Sequence, residues 1–329
     1  MSITVRERTE DIEANTLSDL ACLARASKGR DVFEAEDDMR TAFQRDRDRI
    51  VHSKAFRRLG HKTQVFLAPE GDHYRVRLTH TLEVTQVART IARALRLNED
   101  LVEAICLGHD LGHTPFGHLG EEVVAGFMPG FKHNLQSVRI VEVLESLNLT
   151  WEVRDGIANH TWSMPTMPGT LEGQIARFAD RIAYLNHDID DAARAGILSE
   201  RDLPRPTLDV LGRSHRERIG TMVGDLVRVS AGQAQIEMSG PIFEAMKTTR
   251  NFLFERVYIG RVGAETKRAV ELILGTLLDH HMRRSQSDAG DPKVAAVDYV
   301  AGMTDRFALR AFQELTGAPP PWVGAGALG

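Results

Sequence analysis

The stretch HDLGHTPFGHLGEE, residues 109–122, decides how this chain folds, because it places three histidines, one aspartate and two glutamates directly after an apolar run. The apolar residues of segment 101–107 are spaced as in a buried helix. His109 falls four residues after Ile105 and so shares its helix face, and Asp110 follows at once. Burying an imidazole and a carboxylate is costly unless they find a hydrogen-bond partner or a metal. The stretch therefore predicts a buried polar site, with a solvated loop or satisfied core histidines as the alternatives.

The composition is typical of a soluble globular protein. The 329 residues suffice for one large domain or two moderate ones, with 42% hydrophobic and 26% charged residues. A net charge of -5 excludes a globally basic field for nucleic acid. Cys22 and Cys106 lie far apart, which indicates neither a disulfide framework nor a thiolate metal site and favours the reducing cytoplasm. The charged N-terminus predicts no secretory signal, and no apolar run reaches the length of about 18 residues that predicts a membrane span.

Helical periodicity dominates the chain and predicts an all-α fold. The predicted helices cover parts of residues 37–60, 78–96, 99–110, 116–127, 134–146, 151–160, 171–193, 215–231, 241–259, 262–284 and 292–315. The stretch KTQVFLAPEGDHYRVRLTH favours a small hairpin that turns at residues 69–72. The tail GAPPPWVGAGALG is too rich in glycine, proline and alanine to pack as a helix, and we expect it to be flexible.

Metal sites draw ligands from several elements, so histidines and aspartates on other apolar helix faces are the next candidates. His80 lies on the apolar face of the amphipathic helix predicted over 78–96. Asp180 lies among apolar residues in IARFADRIAYLNHDIDD, where a carboxylate needs a cation or several donors. Taken alone, His80 is also compatible with a core histidine, and Asp180 with a salt bridge to Arg177 or Arg181.

Together, His80, His109, Asp110 and Asp180 offer two imidazoles and two carboxylates. This ligand set suits a divalent ion, with Mn²⁺ or Mg²⁺ expected first and Fe²⁺, Ni²⁺, Co²⁺ or Zn²⁺ as alternatives, although Mg²⁺ accepts imidazole less readily. Four protein ligands leave positions open on a six-coordinate ion, and a water bound there can be deprotonated near neutral pH. The pattern therefore predicts a hydrolytic metal site.

The order H…HD…D in an all-helical chain resembles the HD-domain phosphohydrolases, and most closely the dGTPase-like deoxynucleoside triphosphate triphosphohydrolases. The resemblance is carried by FRRLGHKTQVF, RLTHTLEV, HDLGHTPFGHLGE, HNLQSVRI, FADRIAYLNHDIDD and TRNFLFERVY, which span residues 56–258 in the family's order. It implies an all-α fold with an HD-domain helical core and additional C-terminal helices. The domains it implies are an N-terminal helical segment 1–50, the metal-dependent phosphohydrolase core 51–195, a C-terminal helical region 196–315 that completes the nucleotide pocket, and a flexible tail 316–329. It also implies hydrolysis of a dNTP, either dGTP or a broader set, to deoxynucleoside and inorganic triphosphate.

His118 and Glu121 are the candidates for acid–base chemistry. They lie three residues apart on one helix face if Pro115 opens that helix with Thr114 as its N-cap. A carboxylate beside an imidazole raises the pKa of that imidazole and fixes its tautomer, which suits a general acid. The resemblance implies this role for the pair, while a capping interaction, or Glu122 as the partner, is the alternative.

The resemblance also assigns residues to the nucleotide. It implies a catalytic approach of His113 to the triphosphate and places His133 on the phosphate side. Arginine binds phosphate through a planar fork, and the residues that match phosphate or sugar contacts are Arg77, Arg181, Arg250 and Tyr258. Tyr184 matches the aromatic residue that packs against the 2′ carbon and excludes ribonucleotides, and Asp188 matches the acceptor from the 3′-hydroxyl.

The basic segment RDRDRIVHSKAFRRLGHK, residues 45–62, is compatible with a solvated face, a phosphate site or a nucleic-acid stripe. We expect Arg58 near the substrate and the other basic residues at the surface or in subunit contacts. The resemblance implies a homo-oligomer, tetramer or hexamer, because family members commonly form these. Some members take a second nucleotide as activator.

Two other functions compete with this interpretation. One is an HD phosphohydrolase that acts on a monophosphate or a cyclic nucleotide, which the many basic phosphate-side candidates and the long match disfavour. The other is a nucleotide-responsive binding protein, for example one that binds single-stranded DNA. Retention of every metal position and of the His–Glu pair disfavours that second alternative.

Overall fold

The computed structural model describes residues 3–64, 75–194, 196–259, 264–285 and 290–321, without the side chains of 258, 259 and 264. Its principal helices are α1 (Val5–Thr16), α2 (Ala42–His52), α3 (Lys54–Arg58), α4 (Arg77–Leu95), α5 (Glu99–Gly108), α6 (Gly117–Phe127), α7 (His133–Arg139), α8 (Trp151–Asn159), α9 (Leu171–Arg194), α10 (His215–Ser230), α11 (Gly240–Leu253), α12 (Ala264–Arg284), α13 (Pro292–Ala301) and α14 (Asp305–Thr316). Apart from an isolated antiparallel bridge between Thr63 and Val76, the described ranges contain no β-structure. The all-α prediction is therefore confirmed. The turn expected at 69–72 and residues 322–329 of the tail lie outside the described ranges. Within those ranges, no helix is long and apolar enough to cross a bilayer.

Two predicted helices are interrupted where a hydroxyl side chain caps a new helix. The helix predicted over 37–60 starts only after Thr41, whose side chain accepts a backbone N–H of the first turn, and it breaks at Ser53, which caps α3 in the same way. The helix predicted over 292–315 breaks after Ala301, and Thr304 caps α14. Periodicity alone missed these breaks because the apolar pattern continues across them.

Three other elements differ from the prediction. The helix expected over 241–259 is α-helical to Leu253 and continues as a π-helical turn, Phe254–Ile259. A second π turn, Ile140–Leu144, follows α7. Helix α1 lies in the N-terminal segment 1–50 that the resemblance implies to be helical, but periodicity did not predict it, because it is highly charged and lacks an apolar stripe. Thr4 and Glu7 form a capping box at its start.

The central core is built around α5, which packs against α2, α4, α8 and α9. Leu101 and Ile105 are completely buried in it. The crossing of α5 and α8 is close because Gly156 lacks a side chain, and a Cβ atom there would lie 2.5 Å from Ile105 Cδ1. This packing fixes the end of α5 from which His109 and Asp110 emerge.

A second apolar cluster joins α6 to the C-terminal helices α12, α13 and α14. Val124 of α6 is completely buried among residues such as Ile273 and Val300. Helix α6, which follows His109 and Asp110 in the chain, is therefore held in place by the C-terminal helices, although these lie far from it in sequence.

Candidate active site

The structure brings the four expected metal ligands together from three helices. His80 comes from α4, His109 and Asp110 from the end of α5, and Asp180 from α9. His80 Nε2 lies 3.2 Å from Asp180 Oδ1, and His109 Nε2 lies 3.8 Å from the same oxygen and 3.9 Å from Asp110 Oδ1. Ligand atoms of His80, His109 and Asp110 all lie within 4.8 Å of one another. Asp180 is not part of this mutually close set, but its Oδ1 borders the same space through both imidazoles.

The hydrogen bonding of His109 fits a metal ligand. Its Nδ1 lies 2.6 Å from the Cys106 carbonyl oxygen, which can only accept, so Nδ1 carries a proton and Nε2 of the neutral ring presents a lone pair. That Nε2 is buried and has no hydrogen-bond partner among the described residues. A buried, unpartnered nitrogen facing two carboxylates is a donor set that a divalent cation would satisfy.

Both carboxylates are held in their charged form. Burial would raise the pKa of Asp110, but Arg77, which donates to Asp110 Oδ2 at 2.7 Å, and the nearby histidines hold it well below its usual range. Burial would likewise raise the pKa of Asp180, but its contact with the His80 ring and the neighbouring His109 lower it. Ionised carboxylates are the form that binds a metal.

Helix α6, which carries the expected acid–base pair, begins later than the sequence predicted. Its first residue is Gly117, and Phe116 precedes it in the left-handed conformation with φ of 62°. The prediction that Thr114 caps the helix and Pro115 opens it is therefore wrong. The Thr114 hydroxyl instead donates to the Gly117 carbonyl at 3.2 Å. His118 and Glu121 remain on one face of α6.

Glu121 contacts three histidines, and the closest is not His118. His133 Nδ1 and the His133 backbone N–H both lie 2.9 Å from Glu121 Oε1. His118 Nδ1 and His113 Nε2 lie 3.7 Å and 3.8 Å from Glu121 Oε2. His113 and His133 are largely buried, whereas the His118 side chain is 49% exposed. Glu121 therefore lies between two buried imidazoles, those of His113 and His133, and the partly exposed imidazole of His118.

The pKa shifts in this cluster separate its members. Burial would lower the pKa of His133, but Glu121 raises it above its ordinary value. Burial would raise the pKa of Glu121, but His133 and His118 bring it far below its ordinary value. Burial lowers the pKa of His113 and brings that of His160 to about 3. These shifts favour the neutral form of His113 and His160 and the charged forms of His133 and Glu121.

A cavity of about 160 Å³ connects the metal-ligand set to this histidine cluster. His80, Asp110 and Asp180 line one part, and His113, His118 and His133 line another. Of the residues expected at the nucleotide, Arg77, Arg181, Tyr184 and Arg250 also line it. Three guanidinium groups around one cavity suit a polyanionic ligand.

Two expected substrate residues, Arg58 and Asp188, are not among the described side chains that line this cavity. Arg58 lies 3.4 Å from Glu145 instead. Asp188 is fully buried, one helical turn along α9 from Tyr184. The side chain of Tyr258 lies outside the described residues.

The basic segment forms contacts within the chain. Arg45 and Arg49 both bind Glu34, and Arg47 lies 2.9 Å from Asp48. These ion pairs favour the interpretation of residues 45–62 as a structural surface rather than a nucleic-acid stripe.

Sequence reasoning missed four residues that line the cavity: Gln64, His160, Thr161 and Trp162. Gln64 is 3% exposed, and its Oε1 has no hydrogen-bond partner among the described residues. The Trp162 ring lies 5.1 Å from the Arg181 guanidinium carbon. Gln64 lies within GHKTQVF, between the basic segment 45–62 and the arginines at 75 and 77, and its neutral amide at that position was the available signal. Trp162 reaches the cavity from a loop whose sequence gives no periodicity.

Comparisons with known proteins identify two family models in this chain. The HD domain matches residues 77–185, and the phosphohydrolase-associated domain matches residues 236–314. The deoxyguanosinetriphosphate triphosphohydrolase-like protein of Caldanaerobacter subterraneus subsp. tengcongensis is 54% identical, covering 97% of each chain. The protein of the same name from Desulfatibacillum aliphaticivorans is 48% identical over 95% of this chain and 98% of its own. A hypothetical protein from Aquifex aeolicus of solved structure aligns with a TM-score of 0.48 at 20% identity, over 82% of this chain and 69% of that one.

Proposed function

Because this chain belongs to the deoxyguanosinetriphosphate triphosphohydrolase-like family of HD-domain phosphohydrolases, we propose that it hydrolyses a deoxynucleoside triphosphate, dGTP or a broader set, to deoxynucleoside and inorganic triphosphate. One observation carries the proposal: a single cavity joins a metal-ligand set, three arginines and a cluster of histidines around a carboxylate. Each part matches a need of triphosphate hydrolysis, namely water activation, charge neutralisation and protonation of the leaving oxygen.

In this proposal, His80, His109, Asp110 and Asp180 hold a divalent ion. Mn²⁺ or Mg²⁺ is the first expectation, with Fe²⁺, Ni²⁺, Co²⁺ or Zn²⁺ as alternatives, and the unpartnered Nε2 of His109 supports a ligand role. Such an ion would supply Lewis-acid activation of water and would neutralise phosphate charge.

The cavity-lining arginines would bind the triphosphate. Arg77 is already fixed by Asp110, so its guanidinium is preorganised beside the ion site. Arg181 and Arg250 come from α9 and α11, so the C-terminal region 196–315 would complete the pocket through Arg250. Tyr184, whose ring centroid lies 5.9 Å from that of His118, would pack against the 2′ carbon of the sugar.

His118 would protonate the departing 5′-oxygen. Its partial exposure on the cavity lets it reach substrate, while Glu121 fixes the orientation of the ring from 3.7 Å. His133 would act through Glu121 by holding that carboxylate in place, and His113 would contact the triphosphate from inside.

Product analysis tests the proposed function. The four dNTPs are supplied singly and as a mixture with Mn²⁺, and products are separated by ion-exchange chromatography. Release of inorganic triphosphate is expected. Orthophosphate, or an opened cyclic nucleotide in a parallel assay, would instead indicate the other HD chemistry, and tight binding of dNTP or single-stranded DNA without turnover would indicate a binding protein.

We also propose that the chain forms a tetramer or hexamer in the cytoplasm and that a second nucleotide can activate it. Its two cysteines are free thiols, in keeping with a reducing compartment. Light scattering after size-exclusion chromatography measures the oligomer. Higher turnover of one dNTP in the mixture than alone would support an activator site.

A further inference from the structure

The two candidate imidazole ligands are held by different kinds of partner. His109 is held by the Cys106 carbonyl, which only accepts hydrogen bonds, so its free nitrogen is fixed as a lone pair. His80 Nδ1 instead faces His187 Nδ1 at 3.2 Å. An imidazole nitrogen can either donate or accept, so this contact alone does not fix which nitrogen of His80 carries the proton.

The contact between His187 and Glu83 constrains which nitrogen of His187 carries the proton. His187 Nε2 lies 2.8 Å from Glu83 Oε2. A carboxylate only accepts, so His187 Nε2 carries the proton, and Nδ1 of the neutral ring is left to accept from His80 Nδ1. The Nε2 atom of His80 can then bind an ion with its lone pair. This atom lies 3.2 Å from Asp180 Oδ1, which would favour a proton there when no ion is bound. Glu83 and Asp180 therefore favour opposite tautomers of His80, and a divalent ion takes the place of the proton that Asp180 would otherwise accept.

The opposite arrangement would oppose metal binding. If His187 Nδ1 donated, a neutral His187 would turn a lone pair toward the Glu83 carboxylate. His80 Nε2 would then carry a proton that points at Asp180, and a protonated nitrogen cannot ligate an ion. Glu83 therefore discriminates between the two tautomers of a ring that it does not touch.

The contacts are positioned to transmit this constraint. His80 and His187 are both 2% exposed, so water has little access to either ring. The Glu83 side chain is 42% exposed and is held by Arg75 at 3.1 Å, and Arg75 also binds Asp190 and Asp191. The chain of contacts runs from the surface, through two buried rings, to the ligand cluster.

We propose that Glu83 and His187 are positioning residues that set the proton on His80 and thereby the affinity of the site for a divalent ion. The inference rests on the metal site proposed above. Hydrogen-bond partners behind metal-binding histidines commonly change metal affinity by roughly 10–100-fold when they are lost.

The experiment measures the affinity for Mn²⁺ alone, without nucleotide, from the electron paramagnetic resonance signal of free Mn²⁺. Glu83→Gln replaces a carboxylate, which only accepts, by a neutral amide that can also donate, so the proton of His187 is no longer held at Nε2, and His187→Leu removes the acceptor altogether. Both variants should bind Mn²⁺ roughly 10-fold or more weakly. Glu99→Gln is the matched control, because it removes a partly exposed carboxylate that binds Arg89 and Arg93 and has no part in this chain of contacts.

A conservative variant separates this role from general packing. In His187→Asn, the side-chain oxygen takes the place of Nδ1 as acceptor, and most of the Mn²⁺ affinity should return. Because the shorter asparagine side chain cannot reach Glu83 as the ring does, Glu83→Gln should cost nothing further in that background. Nitrogen-15 spectra of labelled histidine, recorded with the diamagnetic ion Zn²⁺ at saturation, should show Nδ1-protonated His80 in the unmodified chain and a changed pattern in Glu83→Gln at the same Zn²⁺ concentration.

Three results would overturn the inference: unchanged Mn²⁺ affinity in a folded His187→Leu variant, an equal loss on Glu83→Gln in the His187→Asn background, or a His80 ring still protonated at Nε2 in the Zn²⁺-saturated unmodified chain. Absence of Mn²⁺ binding by the unmodified chain would overturn the metal site together with this inference. Mn²⁺ binding with the expected variant effects, but no dNTP turnover, would leave the inference standing and remove only the proposed function.

Discussion

The Asp305 carboxylate accepts a hydrogen bond from the backbone N–H of Phe116 at 3.0 Å, and so ties the start of α14 to the residue before α6. Its other oxygen accepts from the backbone N–H of Thr63 at 3.0 Å and from the Thr63 hydroxyl. Nearby, Lys62 Nζ donates to the carbonyls of His113 and Ala301. A non-glycine residue with φ of 62° needs such support, because that conformation is strained. The C-terminal helices therefore hold the turn that orients His118.

Asp305→Asn should lower kcat more than it lowers metal affinity. Both Asp305 oxygens accept from N–H groups, so the asparagine NH₂ must face a donor, and the turn at Phe116 should relax. A misplacement of about 1 Å at a reacting group can cost roughly 100-fold in rate, while the Mn²⁺ ligands lie on other helices. The measurements are kcat and Mn²⁺ affinity.

Asp291→Asn is the control for Asp305→Asn, since Asp291 caps α13 by accepting from the backbone N–H of Lys293 and makes no hydrogen bond or ion pair with α6 among the described residues. An unchanged kcat in Asp305→Asn would show that the turn does not depend on this carboxylate. Equal losses of kcat in both variants would point to general destabilisation of the C-terminal helices.

Asp180→Ala should abolish Mn²⁺ binding and leave the helical fold largely intact. Asp180 is the carboxylate closest to both imidazole ligands, and its removal takes one of four donors from the ion. Calorimetric titration with Mn²⁺ and far-ultraviolet circular dichroism provide the two readouts. Near-normal Mn²⁺ affinity in the variant would exclude Asp180 as a ligand.

The proximity of the candidate metal ligands could be expected from the sequence because each of them lies on an apolar helix face or at the end of one. His80, His109 and Asp180 are each flanked by apolar residues at helical spacing, and polar groups in such positions need a partner. The all-α fold followed from the same periodicity.

The histidine cluster could be predicted only in part, because its pairing depends on contacts between distant segments. Local spacing paired Glu121 with His118, but the turn after α6 brings His133 closer. Local capping signals favoured a helix start at Pro115, but Asp305, far along the chain, stabilises a turn at Phe116 instead. Tertiary contacts of this kind override local propensity.

Tyr184→Ala should let GTP or ATP compete with the deoxy forms. If the ring fills the space beside the 2′ carbon, its removal makes room for a 2′-hydroxyl. Tyr184→Phe keeps the ring and should keep the discrimination, which makes it the matched control. The measurement is kcat/KM for each dNTP and its ribonucleotide, and unchanged ratios in Tyr184→Ala would refute steric exclusion by this ring.

His118→Ala should lower kcat by roughly 10²–10⁴-fold, the usual contribution of a general acid. Mn²⁺ affinity should stay the same, because His118 lies with Glu121 rather than with the ion ligands. A small effect on kcat at full Mn²⁺ occupancy would assign the proton transfer to another group in the cluster.

Glu121→Gln should change both the pH dependence of stability and that of catalysis. Glu121 has a lowered pKa, so its contribution to stability is present above its ordinary value of 4.5 and is lost as pH falls. His133 has a raised pKa, so its contribution is complete below its ordinary value of 6.5 and is lost as pH rises through the raised value. The loss of unfolding free energy in the variant, measured with urea, should therefore be greatest between these two pH values.

The same substitution should move the basic limb of the kcat/KM profile to lower pH at full Mn²⁺ occupancy. The sign follows because a neighbouring carboxylate raises the pKa of a histidine, and its removal lowers that pKa. Glu122→Gln is the control, since Glu122 is exposed and binds Lys267 at 2.6 Å. Proton NMR of the histidine rings follows the pKa of His133 in parallel. If that pKa falls in Glu121→Gln while the basic limb stays in place, the limb belongs to a group outside this cluster, and Glu121 does not tune the acid.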